Sequence, residues 1–244
     1  LSASTSIAGM SVAFPVGCGL ALVLGVINNL RVEMSQGALK SNLTLLAIGV
    51  ALVVVAVILN GIASGKKAGN AEISKADQRK GIILAVVAGV VMSFFSSFVM
   101  KAMDLKDFAN MEPGKVGPYT AIVVFSLAVL VSHFVFGPIF MKWPFQGAPV
   151  KMSEYFKGNS KTHLVGMLGG CIWCLGTALS YIAAGKAGAS VSYALGQGAP
   201  MVAAIWGVFV WKEFKGSNKT VYNLLGMMFL FFIVGLGMIV AAGM

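Results

Sequence analysis

The chain has 244 residues, of which 58% are hydrophobic and 11% charged, with a formal net charge of +10. A water-soluble domain is nearer half apolar and a quarter charged, so a soluble fold is excluded and lipid is the expected solvent. The basic residues sit singly or in small groups between apolar runs, which argues against nucleic-acid binding and leaves orientation in a bilayer as their role.

Seven apolar runs follow one another: 7–30, 43–64, 81–100, 119–141, 164–184, 190–211 and 222–242. Each is near the ~20 helical residues that cross a hydrocarbon core. None of these runs contains Asp, Glu, Lys or Arg. Backbone in lipid must satisfy its own hydrogen bonds, so every run is expected to be helical. Barrel strands would be shorter and would alternate in polarity. The expected class is therefore an all-α, multi-pass integral membrane protein.

With no charge inside the runs, recognition must rest on neutral polar groups and aromatics, and helical spacing says which share a face. In the first run Ser11, Phe14, Cys18 and Asn29 line up. In the third, Ser93, Ser96 and Ser97 form a stripe that ends on Lys101 at the membrane edge, a pattern that also permits close helix packing. The fourth run holds His133, which could carry a coupling proton because its ordinary titration lies near neutrality, or serve as a hydrogen-bonded structural residue. In the fifth, Trp173, Thr177, Ser180 and Tyr181 share a face. A tryptophan can stack on a flat solute while the hydroxyls bond its edge; a plain interhelical contact is the alternative. Cys171-x-x-Cys174 has a redox spacing but lies in an apolar helix without further ligands. In the sixth run Ser190, Tyr193, Gln197 and Pro200 form one stripe. Gln197 offers two donors and an acceptor, and Pro200 would free a carbonyl and kink the helix there. Gly166-x-x-x-Gly170 and Gly61-x-x-x-Gly65 read as close-packing surfaces.

The connections are short and polar. Residues 65–80 form the most basic one, with Lys66, Lys67, Lys75, Arg79 and Lys80. Alternate loops place twelve basic residues on one side of the membrane and six on the other, so the first side is expected to be cytoplasmic. Gly61-x-x-x-Gly65-Lys66-Lys67 is not a phosphate loop, because the spacing is one short and no Ser or Thr follows the Lys. No cofactor is implied.

The first and sixth runs also resemble each other. Ser11-Val12-Ala13-Phe14 matches Ser190-Val191-Ser192-Tyr193, and Gly17-x-Gly19 matches Gly196-x-Gly198 in the same frame. Asn42-Leu43 is similar to Asn223-Leu224 in the runs that follow. A repeat of five helices reverses direction across the membrane, which makes the copies inverted and puts a solute site at their interface. Residues 1–64 would then be the last two helices of one repeat, 65–80 a basic cytoplasmic linker and 81–244 a complete second repeat. Three further helices, roughly 80–100 residues, are expected before residue 1.

Gln197-Gly198-Ala199-Pro200 with Trp206-Gly207 is similar to the Gln-x-x-Pro…Trp-Gly pattern of ureide permeases. Pro118-Tyr119-Thr120-Ala121 and Trp143-Pro144 also resemble that family, and Lys212-Glu213 resembles the end of the equivalent helix in sugar-transporting relatives. The chain thus resembles the drug/metabolite transporter superfamily, in the branch of ureide permeases, glucose/ribose uptake proteins and rhamnose–proton symporters. That resemblance implies ten helices in two inverted five-helix repeats, of which seven are visible here. It also implies a secondary-active or facilitative permease, not an enzyme, in the plasma or inner membrane.

The expected partners are the bilayer, a small polar and mostly uncharged solute such as a sugar or ureide, a co-transported H+ or Na+, and in one arrangement a second copy of the chain. Candidate solute-contacting residues are Phe14, Cys18, Ser93, Ser97, Trp173, Thr177, Tyr181, Tyr193, Gln197 and Pro200, with His133 for coupling. Two competing readings remain. A seven-helix receptor or pigment fits the span count but lacks a lysine in the last span and a counter-ion carboxylate. A non-transporting subunit would betray itself by a stoichiometric partner.

Overall fold

The computed structural model describes residues 3–4, 7, 10–68, 75–145 and 147–244. Among the described residues all seven apolar runs are built of helix, the sixth in two pieces. The helices are α1 (Met10–Gln36), α2 (Leu43–Ala68), α3 (Lys75–Ala102), α4 (Pro118–Lys142), the short α5 (Met152–Phe156), α6 (Ser160–Ala187), α7 (Ala189–Gly196), α8 (Ala199–Ile205) and α9 (Lys219–Ala242). A π-helical turn, Trp206–Val210, extends α8. Seven segments among the described residues are long and apolar enough to cross a membrane. The chain is a multi-pass integral membrane protein.

Local chemistry sets the helix ends. Asn42 accepts the N–H groups of Thr44 and Leu45 at the start of α2. Asn159 accepts from Lys161 at the start of α6, and Asn218 from Val221 at the start of α9. Each satisfies a donor that the first turn leaves unpaired. α4 opens on Pro118, whose missing N–H costs nothing there.

The first helix departs from expectation. It does not stop at Leu30 but continues to Gln36 and carries Arg31 and Glu33 inside its length. The spans are therefore not free of charge: Glu33 is completely buried.

α1 lies at the centre of the bundle. It runs parallel to α3, tied by Asn28 Nδ2 to the Ser93 carbonyl and Gln36 Nε2 to those of Met100 and Met103, while Ser4, ahead of α1, donates its Oγ to the Gly81 carbonyl. It runs antiparallel to α7, because Glu33 meets Ser190 while Ala21, three turns earlier, meets Tyr193. α2 and α9 are also antiparallel: the Asn42 N–H bonds the Ala242 carbonyl at one end, and Gly49 packs on Gly235 further in. The core binding α1, α2, α7 and α9 is built on Leu22, Val53, Val191, Met228, Phe232 and Ile239. A second cluster at the Glu33 end joins Met100, Met103 and Leu105 to Tyr181, Ala184 and Ala189.

The loop after α3 closes this end. Asp104 Oδ1 accepts the N–H groups of Lys106 and Asp107, and Oδ2 that of Glu112. These donors hold the Asp104 carboxyl below the usual carboxylate range. α4 and α6 bury little of themselves, only Pro118 and Ala121 on one and Tyr181 and Ala184 on the other. Their exposed Val131, Phe134, Leu168 and Ile172 form the apolar exterior that lipid contact requires.

His133 lies exposed on α4, edge-on to Phe134. Gly166 and Gly170 face open space and form no close crossing. The close crossings are instead made by Gly49 with Gly235, by Gly89 with the backbone of Gly17, and by Gly25 under the Tyr193 ring.

Candidate functional site

The sixth span is broken in its middle. α7 ends at Gly196 and α8 begins at Ala199. Proline cannot donate to the residue four before it, and its ring clashes with that carbonyl. For Pro200 the affected residue is Gly196, and here the helix is interrupted. The chain turns at Gln197 and Gly198 through short-range bonds to Ala194 and Leu195, and Pro200 starts the next helix. The expected single kinked helix is thus two helices. The matching Gly17-x-Gly19 of the first run lies inside a continuous α1, since no proline follows it.

A cavity of about 450 Å³ opens beside this break. That is within the range of small-molecule sites. Its walls come from α3, α6 and the two pieces of the sixth span. Phe95, Trp173, Tyr181 and Tyr193 supply aromatic faces, and Ser96, Thr177, Ser180 and Gln197 supply polar groups. None of the lining residues is charged.

The aromatic wall is braced from behind by Phe125 of α4. Its ring stacks with Phe95 at 5.9 Å, meets Trp173 at 6.0 Å and stands edge-on to Tyr181 at 6.2 Å. Such offset and edge contacts fix ring orientation. Tyr193 is fixed differently: its Oη donates to the Ala21 carbonyl at 3.0 Å, pinning the short α7 to α1.

Most of the polar wall is already satisfied by protein. Ser96 Oγ donates to Asn29 Oδ1, and Asn29 Nδ2 donates to the Gly25 carbonyl. Thr177 Oγ1 donates to the Trp173 carbonyl one turn back. Ser180 and Ser192 share a 2.8 Å hydroxyl contact, and Ser192 Oγ also donates to the Ser180 carbonyl. Tyr181 is the exception. It is 2% exposed, it lines the cavity, and its Oη has no hydrogen-bond partner among the described residues. A buried hydroxyl left unpaired is costly, so it is a ready donor or acceptor for a bound solute. Gln197, half-buried at the break, adds an amide, and the Gly196 carbonyl has lost its helical donor to Pro200.

Of the residues singled out in the sequence, the fold brings Trp173, Thr177, Tyr181, Tyr193 and Gln197 together around one cavity. Ser93 and Ser97 do not line it: their hydroxyls bond back to the carbonyls of Val90 and Phe94, and Ser93 packs against Asn28. Ser96, between them, is the serine of that stripe that reaches the cavity. Cys18 is in the core against Tyr193 rather than on the wall. Pro200 shapes the break without lining the cavity. The Phe14 side chain lies outside the described residues. Sequence reasoning missed Phe95 and Phe125, which look like lipid-facing aromatics until α3 and α4 are brought together.

Comparison with known proteins fits this arrangement. The ureide permease family model matches residues 72–242. The chain is 27% identical over 163 residues to Ureide permease 1 of Arabidopsis thaliana, covering 66% of this chain and 42% of that protein. It is 24% identical to Ureide permease 2 of the same plant over a stretch of the same length, covering 41% of that protein. The matching part therefore spans about two fifths of the length of these relatives. No solved structure matches the chain. The family match takes in more than half of the sequence, including α4, α6 and the broken sixth span that build the cavity, and this chain belongs to the ureide permease family.

Proposed function

We propose that this chain carries a small, polar, uncharged solute of the ureide class across a membrane, binding it in the cavity beside the broken span and passing it by alternating access. The observation that carries the reading is the buried Tyr181 hydroxyl, unpartnered in an uncharged aromatic cavity. A ureide is flat, with amide donors and acceptors around its edge. Trp173 offers a face to stack on, Gln197 an amide of complementary pattern and Tyr181 a hydroxyl. The names of the two Arabidopsis thaliana relatives, both ureide permeases, point to the same solute class.

The proposal includes the inverted-repeat plan: 1–64 as the end of one five-helix repeat, 65–80 as a linker and 81–244 as the second repeat, within ten helices. The antiparallel pairing of α1 with α7 and of α2 with α9 supports it, since inverted copies must oppose each other. The plasma membrane and coupling to H+ or Na+ belong to the same proposal. A sugar is the alternative solute, since Trp173 would also stack on a pyranose face.

Direct binding tests this reading. The full chain in lipid nanodiscs is expected to bind hydantoin, the simplest cyclic ureide, saturably. Trp173→Ala and Gln197→Ala should each weaken binding about tenfold, the effect of losing one stacking or one buried hydrogen-bond partner. Hydantoin-5-acetate should bind at least as much worse, because no cation lines the cavity to receive its carboxylate. Preferential binding of a hexose would replace the ureide with a sugar. Equal binding by wild type and both variants would remove the cavity from the account.

A further inference from the structure

Eight acidic residues occur in the chain, and among the described residues Glu33 is the one held inside a span with no exposed surface. Its Oε1 accepts the Ser190 N–H at 2.5 Å and the Ser190 hydroxyl at 2.8 Å. Its Oε2 has no hydrogen-bond partner among the described residues. Ser190 is in the first turn of α7, where unpaired N–H groups and the helix dipole favour a negative charge. A carboxylate from α1 thus caps a helix 157 residues away in sequence. The chain is shaped to admit it. Gly188, just before α7, has φ +92° and ψ 152°, and a Cβ there would come within 2.9 Å of Glu33 Oε1.

What the cap holds is the cavity wall. α7 is eight residues long. Its first turn meets Glu33, it presents Tyr193 and Gly196 to the cavity, and Gln197 follows its end. The other groups that act on this end are accounted for. From the loop after α1, Lys40 acts on Glu33 through space while its Nζ donates to the carbonyls of Gly185 and Leu105. From α6 comes buried Tyr181, with Lys186 exposed. α7 brings Tyr193, engaged with Ala21. From α3 and its loop, Lys101 and Asp107 are exposed, Lys106 pairs with Glu112, Lys115 donates to the Lys101 carbonyl, and Asp104 has both oxygens taken by backbone N–H groups. On α1 itself, Arg31 is exposed. α9 brings no titratable group to this end.

We propose that Glu33 is a positioning residue for solute passage: its ionised carboxylate latches the start of α7 to α1 and so fixes the Tyr193–Gln197 wall, and uptake of a proton releases it. Hydrogen bonds to a charged acceptor are roughly twice as strong as neutral ones, so the latch holds while Glu33 is ionised and loosens as pH falls through its titration. Solute passage then depends on pH through this one group. Only the uptake part of the test rests on the permease reading.

Backbone hydrogen exchange over residues 189–197 of the full chain in nanodiscs tests the latch directly. After correction for the chemical exchange rate, wild type should pass through one step as pH falls and the carboxylate takes up its proton. Exchange should be about tenfold faster on the acid side, the worth of one hydrogen bond to a charged acceptor. Glu33→Gln should exchange fast at every pH and take up hydantoin with a flat pH profile. A flat wild-type exchange profile overturns the latch whether or not the variant folds, and so does a step that survives in Glu33→Gln. If the exchange step is present but wild type takes up no hydantoin at any pH, the latch stands and the permease reading falls.

Discussion

Gly188→Ala is expected to destabilise the protein by about 1–3 kcal/mol, and more if the Glu33 carboxylate cannot move aside. The backbone there, at φ +92° and ψ 152°, lies in a region that side-chain-bearing residues scarcely enter. The added methyl would also press on a carboxyl group that is buried and hydrogen-bonded to Ser190. Thermal unfolding in detergent, read beside exchange over 189–197, checks both parts. The strain appears as a lower midpoint, and the displaced carboxylate as loss of protection confined to α7. An unchanged midpoint would mean that the turn from α6 into α7 is not held as described.

Gly49→Leu is the second large effect, at about 3 kcal/mol or more, the upper range for forcing volume into a packed interface. A Cβ at Gly49 would lie 2.7 Å from Ile239 Cγ1 and 2.8 Å from the Gly235 carbonyl oxygen. A side chain can swing away from a methyl; a backbone oxygen cannot, so α2 and α9 must part along their length. Close approach through small residues is how helices associate where lipid removes the usual hydrophobic drive. The same measurement has an internal control. Gly166→Ala and Gly170→Ala add a methyl into open space and should stay within about 0.5 kcal/mol of wild type. A large loss at Gly166 with none at Gly49 would reverse the assignment of the packing faces.

The spans were legible because lipid imposes one rule on every residue of a run, and an unbroken run of about 20 apolar residues satisfies it only as a helix. The face of Trp173, Thr177 and Tyr181 was legible for a related reason: regular spacing on one helix survives folding. What escaped depended on contacts between distant segments. Closing the first run at Arg31 hid Glu33, whose burial is created by Ser190 far along the chain. Polarity alone placed His133 inside, although it projects from the exterior of α4, and no local signal distinguishes the two sides of that helix. Ser93, Ser96 and Ser97 read as one stripe, yet two of the three bond their own helix and face α1 or the core. Pro200 was seen as a kink, but the chain turns at Gln197 and Gly198 on bonds back to Ala194 and Leu195, which makes it a break.

Uptake by sealed liposomes carrying the full chain tests the central claim most directly. Radiolabelled hydantoin should enter saturably, excess unlabelled hydantoin should compete while a hexose does not, and Tyr181→Phe should lower the initial rate about tenfold by removing the cavity-lining hydroxyl that has no partner among the described residues. Liposomes that admit hydantoin no faster than protein-free ones, or a Tyr181→Phe rate equal to wild type, would contradict a solute path through this cavity.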